Sequence, residues 1–265
     1  MEQHLLYFLN QRYGLKRLVV MNASAYIKAV NTFSPADNSV AVFGKILRNE
    51  IDEEFRFVQQ ELRDSTEICL RVHLKGKNPL KSDDAISRMT TGVVNGLIGR
   101  EQWSDVVGCL YNEEDAAVLG NLVKDVSKKY NGVKQRQASN RITPKGTPRR
   151  RKASVDANQA IAKLPYASFV KVLLDFQLLS HDKFLSKFRD LFGRLDDNKD
   201  GILNEAQFRE LCLLVGRPTG GNKKTKERTE EEMQKLLETA DPFNNDAITF
   251  SDAVACLSND ICELK

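Results

Sequence analysis

Residues Asp196–Gln207 read D-D-N-K-D-G-I-L-N-E-A-Q, and no other stretch constrains the fold as tightly. Oxygen-bearing side chains stand at the first, third, fifth and ninth positions of this run, at Asp196, Asn198, Asp200 and Asn204. Gly201 is sixth, where a sharp reversal requires the positive φ that glycine adopts without a Cβ penalty. Phe184, Phe188, Leu191, Phe192 and Leu195 precede the run at helical spacing, and Phe208, Leu211, Cys212 and Val215 follow it in the same way. Each set makes one apolar stripe. A chain written in that order folds as helix, tight loop and helix, with its loop oxygens converging and Leu203 placed to meet a second loop.

The run resembles the loop of the EF-hand superfamily, which wraps Ca²⁺ in oxygens drawn from alternating positions. The resemblance implies a ligand set of Asp196, Asn198, Asp200, the Ile202 carbonyl, a water held by Asn204, and Gln207. Gln207 is the departure, because the pattern asks for a bidentate Glu at the twelfth position. Two anionic groups and a neutral amide imply weak affinity, on the order of 10⁻⁴ M or poorer.

A second run, Asp241–Asp252, aligns when Ile248 takes the eighth position. Asp241, Asn245, Ala247 (through its carbonyl), Thr249 and Asp252 then fall in ligand slots, but Phe243 supplies no oxygen and Asp246 replaces the turn glycine. We read it as a vestigial metal loop. The resemblance implies that the two hands pair through Leu203 against Ile248 and that their helices form an apolar groove. A third fragment, Leu164–Phe169, has the spacing of a further vestigial hand whose entering helix is missing or distant. The resemblance thus covers Ala157–Lys265 at most.

The first 127 residues show helical stripes and no sustained period-two alternation. One stripe runs through Ile51, Phe55, Val58, Leu62 and Cys69; another helix opens at Pro35 and carries Val42, Phe43, Ile46 and Leu47. Ser82 is the expected cap of a helix through Ile86, Met89, Val93 and Leu97 that Gly99 ends, and Asn112 caps a later one. In the second half, Thr229 with Glu232 forms a capping box, and Gly216 is a C′ stop.

Charge divides the chain. Between Lys128 and Lys152 lie ten Lys or Arg and no Asp or Glu; removing those ten from the net +4 leaves the rest at −6. We therefore expect an all-α protein with a helical domain at 1–127, a basic flexible linker at 128–156 and an EF-hand-like domain at 157–265. The cluster Arg149, Arg150, Arg151 and Lys152 suits an acidic surface such as tubulin's. Nucleic acid is disfavoured because Tyr130 is the strip's single aromatic. Ser154, in R-K-A-S-V, fits a basophilic kinase site.

Five cysteines, odd in number and without C-x-x-C spacing, argue against a disulfide framework or zinc site. No apolar run approaches the roughly 20 residues of a membrane span. Phosphate-loop, nucleophile-elbow and zincin motifs are missing from the sequence. The expectation is a non-enzymatic cytoplasmic scaffold whose hands grip an amphipathic partner helix, with a calcium-responsive regulator as the alternative. The plan is loosely similar to cytoskeletal and axonemal EF-hand proteins, which implies a place at the cytoskeleton, cilium or flagellum.

Overall fold

Helical periodicity carries through to the structure, a computed structural model that describes residues 2–139, 163–216 and 228–264. The chain opens with α1 (Glu2–Tyr13), α2 (Lys16–Phe33) and α3 (Asn38–Leu47), and continues through α4 (Phe55–Lys77), α5 (Asp83–Val94), α6 (Arg100–Leu110) and α7 (Glu113–Ser139). The later helices are α8 (Tyr166–Leu195), α9 (Glu205–Val215), α10 (Glu230–Ala240) and α11 (Phe250–Glu263). Four two-residue strands complete the described elements. β1 (Leu97–Ile98) pairs antiparallel with β2 (Leu164–Pro165), and β3 (Ile202–Leu203) with β4 (Ile248–Thr249). The fold is all-α in class.

Two units emerge. A central unit spans Val58–Phe176, and a terminal unit joins Met1–Phe57 to Gln177–Lys265. The first 57 residues cluster with Gln177–Lys265 rather than with the helices that follow them. The central core gathers Leu70, Ile86, Ile98, Trp103, Leu119 and Phe169; the terminal core gathers Ile51, Phe55, Phe188, Phe208, Phe250 and Leu257.

Local chemistry explains most helix ends. Ser82 Oγ accepts from Ala85 N–H, Asn112 Oδ1 from Asp115 N–H, and Thr229 with Glu232 makes the capping box, as the sequence implies. Four expectations change. Pro35 lies in the turn before α3, whose cap is Asp37, accepting from Ser39 and Val40 N–H. Ile51 is buried ahead of α4, which starts at Phe55 where Asp52 Oδ1 takes up the free N–H. Gly99 opens α6 instead of ending α5. Gly216 is the C-cap of α9 with φ −74°, not a left-handed C′ residue.

Two larger corrections follow. The stripe through Phe184–Leu195 belongs to a longer helix, the thirty-residue α8, which begins at Tyr166 inside the Leu164–Phe169 fragment. No Gly or Pro stands between Tyr166 and Phe184, so nothing interrupts the backbone ladder. The basic strip was expected to be a linker from residue 128, yet α7 remains helical to Ser139. Arg149, Arg150, Arg151, Lys152 and Ser154 lie outside the described residues, as does Ala157.

Candidate functional site

The Asp196–Gln207 run takes the predicted bend. Gly201 has φ +79° and Lys199 φ +57°, so the chain turns twice through the left-handed region between α8 and β3. Ile202 and Leu203 then pair with Thr249 and Ile248, which places Leu203 opposite Ile248 as the resemblance implies. Both aliphatics are fully buried, at 0% and 1% exposure. Asp246, in the glycine's place in the second loop, carries φ +54°, a conformation Asp tolerates better than most residues.

The loop oxygens are largely engaged by the protein itself. Asp196 Oδ2 accepts from Gly201 N–H at 2.9 Å, and Asp200 Oδ1 accepts from Ile202 N–H at 2.9 Å. Asn198 Oδ1 accepts from Asp200 N–H, while its Nδ2 donates to Asp200 Oδ2 at 2.9 Å. Gln207 does most to close the ring. Its Nε2 donates to the Leu195 carbonyl at 2.7 Å, and its Oε1 accepts from Asn204 N–H at 3.0 Å. A Glu at this position has no N–H to give the carbonyl and would set an anion against its oxygen. The amide therefore ties the loop's end to the helix that enters it without any cation.

One oxygen stands apart. Asp196 is only 7% exposed, and its Oδ1 is buried with no hydrogen-bond partner. A buried, unmatched carboxylate oxygen is costly, and its place on the first residue of the loop fits a cation or water better than empty space. The surroundings temper that fit. A cleft of about 350 Å³ beside the loop is lined by Arg48, Asn49, Arg189, Asp196, Lys199 and Gly201. Arg48 is paired with Glu50 and Arg189 with Asp182, so part of this positive charge is offset locally. Among the described residues, no three His, Cys, Asp or Glu side chains converge as a metal site.

The second loop turns its carboxylates inward as well. Asp241 accepts from Asn245 and Asp246 N–H at 3.0 and 2.7 Å. Asp246 Oδ1 accepts from Glu205 N–H at 2.6 Å, which caps α9 after the first loop. Asp252 Oδ2 accepts from Thr249 N–H and Oγ–H at 3.1 and 2.6 Å. Phe243 is 82% exposed and its side chain offers no oxygen.

A rule joins these loops to the central unit, and sequence reasoning missed it. Four residues after three of the four buried strand aliphatics, a side chain reaches back to the N–H that opens the helix: Gln207 after Leu203, Asp252 after Ile248, and Gln102 after Ile98, where Gln102 Oε1 accepts from Gly99 N–H at 2.8 Å; Leu164 is the exception, because Pro165 has no N–H to cap. The twelfth loop position thus acts as a cap. The fragment beginning at Leu164, read as a possible further hand, pairs with Leu97–Ile98, with Tyr166 N–H donating to the Gly96 carbonyl. Leu119 and Val123 of α7 share the core of Leu164 and Phe169. The signal available beforehand was L-I-G-R-E-Q-W, an aliphatic with Gln four places on and an aromatic after it.

The Phe-lined groove also differs from expectation. Phe169 and Phe176 belong to the central core, Phe184 and Phe243 are exposed, and Phe188, Phe192, Phe208 and Phe250 form the terminal core. That terminal core already contains Val42, Ile46, Ile51 and Phe55 from the chain's own start. Polar contacts hold this segment in place. Glu53 N–H donates to Ser251 Oγ at 3.0 Å, and Lys45 Nζ lies 3.2 Å from Asp182 Oδ1. His181 Nε2 meets Asp52 Oδ2 at 2.6 Å while its ring stacks on Phe55, centroids 4.6 Å apart. Burial pushes the Asp52 carboxyl up, but the His181 contact and nearby backbone N–H groups outweigh it and hold the carboxyl below its ordinary value.

Over 81 residues the chain is 30% identical to a curated protein of Arabidopsis thaliana named "Probable calcium-binding protein CML18". The match takes in 30% of this chain and 43% of that relative, so the chain spans less than half of the relative's length. No protein-family profile matches the chain, and no solved structure matches it. The similarity is partial and hints at an EF-hand relationship.

Proposed function

We propose that this chain is a non-enzymatic, EF-hand-like protein-binding module whose C-terminal pair carries its own segment 38–55 in the place an amphipathic partner helix would take. The observation that supports this reading is the shared core of Val42, Ile46, Ile51 and Phe55 with Phe188, Phe192 and Phe250. Helix-in-groove recognition uses apolar anchors at such spacing. A hand closed by Gln207 rather than by metal keeps that surface formed at all times. In this reading the strip Arg149–Lys152 adds a salt-sensitive contact to an acidic surface such as tubulin, the cytoskeletal or ciliary role that the resemblance implies.

The test uses the full-length chain with Ile51→Ala and Phe55→Ala together, which loosens the internal segment. Binding of a synthetic amphipathic helical peptide, followed by fluorescence anisotropy, should strengthen at least tenfold over the parent chain. Equal affinity for both proteins, or no binding by either, overturns the reading.

A second reading has its own support. The buried, unpartnered Asp196 Oδ1 and the partial likeness to a calcium-binding protein favour a weak, regulatory Ca²⁺ site formed by Asp196, Asn198, Asp200, Ile202, Asn204 and Gln207. Titration calorimetry in ~0.1 M salt separates the two: heat that saturates towards about 1 mM calcium and that Asp196→Ala abolishes establishes the second reading in place of the first.

A further inference from the structure

Three side-chain pairs cross from α4 to α6 within the central unit at matched intervals: Cys69 with Cys109, His73 with Asp105, and Lys77 with Glu101. The α4 members advance by four residues while the α6 members retreat by four, the register of two antiparallel helices meeting along one stripe of each. His73 Nδ1 lies 2.6 Å from Asp105 Oδ2, and the two cysteine Sγ atoms lie 3.1 Å apart. Leu70 and Leu74 of α4 share a buried core with Trp103 and Val106 of α6. Apolar packing therefore sets the register of this seam, and the thiols are brought together by it. An S–S bond is about 2.05 Å long, so closing the gap needs a shift of only about 1 Å.

We propose that Cys69 and Cys109 form a reversible dithiol–disulfide site that staples α4 to α6, with a low-molecular-weight disulfide as the oxidant. Cys109 is the exposed member and Cys69 is partly buried. Cys109 gives its proton to solvent and attacks the small disulfide as thiolate, forming a mixed disulfide and releasing one small thiol. Cys69 then loses its proton and attacks the Cys109 sulfur, which expels the second small thiol and forms the internal bond. Two protein thiols are oxidised, one small disulfide is reduced to two thiols, and no further electron acceptor enters. Burial and the neighbouring thiol push Cys69 up to about 11, which suits it to the second step rather than the first.

The staple would act on the helix that leaves β1, since α6 begins directly after that strand. It would also close a 40-residue span of chain, which restricts the unfolded ensemble and raises stability. In a reducing compartment such a bond is a sensor rather than a permanent brace.

The experiment equilibrates the full-length, reduced, metal-free chain in buffers of graded reduced and oxidised glutathione, followed by peptide mapping without reductant. The expected main product is a Cys69–Cys109 linked peptide, reversed by dithiothreitol, with Tm raised by about 5 °C or more. Cys69→Ser should leave a glutathione adduct stalled on Cys109, and Cys109→Ser should leave Cys69 unmodified. Adducts on Cys109 or Cys262 without the linked peptide overturn the proposal. So do links scattered among all five cysteines, or a linked product with unchanged Tm. Calcium is absent throughout, so the result is independent of either reading of the loops.

Discussion

The strand pair of the central unit and that of the terminal unit share a plan but differ in what precedes them. Before β3 the chain spends Asp196–Gly201 on a bent loop rich in oxygen, whereas α5 runs to Val94 and leaves only Asn95 and Gly96 before β1. Yet Ile98, Leu164, Leu203 and Ile248 are all between 0% and 1% exposed, and Gln102 caps its helix as Gln207 does. The buried aliphatic and the reach-back cap survive where the ligand loop is missing. Pairing and metal chemistry are therefore separable, and packing carries the first of them.

The comparison is tested most severely at those aliphatics. Leu203→Ala and Ile98→Ala should each cost about 2–4 kcal/mol in urea denaturation, because each leaves a cavity in a fully buried site. A loss at Leu203 alone would mean that the central strand pair is incidental.

Gly201→Ala comes next, at about 2 kcal/mol. An added Cβ there would meet Asn49 Nδ2 at 2.0 Å and the φ of +79° disfavours any side chain, so Asn49→Ala should return only part of the loss. Gly99→Ala, whose Cβ would stand 3.4 Å from Gln102 Oε1, should change stability by less than about 0.5 kcal/mol.

Exchanging the caps sharpens the contrast. Gln207→Glu should raise calcium affinity at least tenfold by calorimetry, and without calcium should cost about 1 kcal/mol through loss of the hydrogen bond to the Leu195 carbonyl. Gln102→Glu should create no calcium affinity, since no oxygen-bearing loop precedes it. Flat affinity in the Gln207 variant would show that the terminal loop is as remote from metal binding as the central one.

The smallest effect is one of pH. Asp52 titrates below its ordinary value in the folded chain, so its contribution is complete above the usual carboxylate range near 4 and is lost as pH falls through the folded value. Urea midpoints compared between pH 6 and pH 3 should fall less steeply for Asp52→Asn than for the parent chain.

Several features were legible from residues alone. Caps at Ser82, Asn112 and Thr229 depend on neighbours three residues away, and the bend at Gly201 depends on one residue's freedom, so local reading found them. The register of Leu203 on Ile248 is the one the resemblance implies. The strand pair at β1 was not legible, because no oxygen-rich loop precedes it and its local signal is only an aliphatic with a Gln four places on. The groove's contents escaped for another reason. Nothing near Val42 or Phe55 in sequence says that they pack against Phe188 and Phe250.

By itself, the order of residues determined the helical class, the helix starts at Ser82, Asn112 and Thr229, and the bend of the Asp196 loop, since each depends on interactions closed within a turn or two of chain. Tertiary structure alone decided that the first 57 residues complete the C-terminal core and that Cys69 meets Cys109, because both join positions separated by scores of residues. Such contacts are chosen by which apolar faces bury the most surface together, and that choice is made by the whole fold.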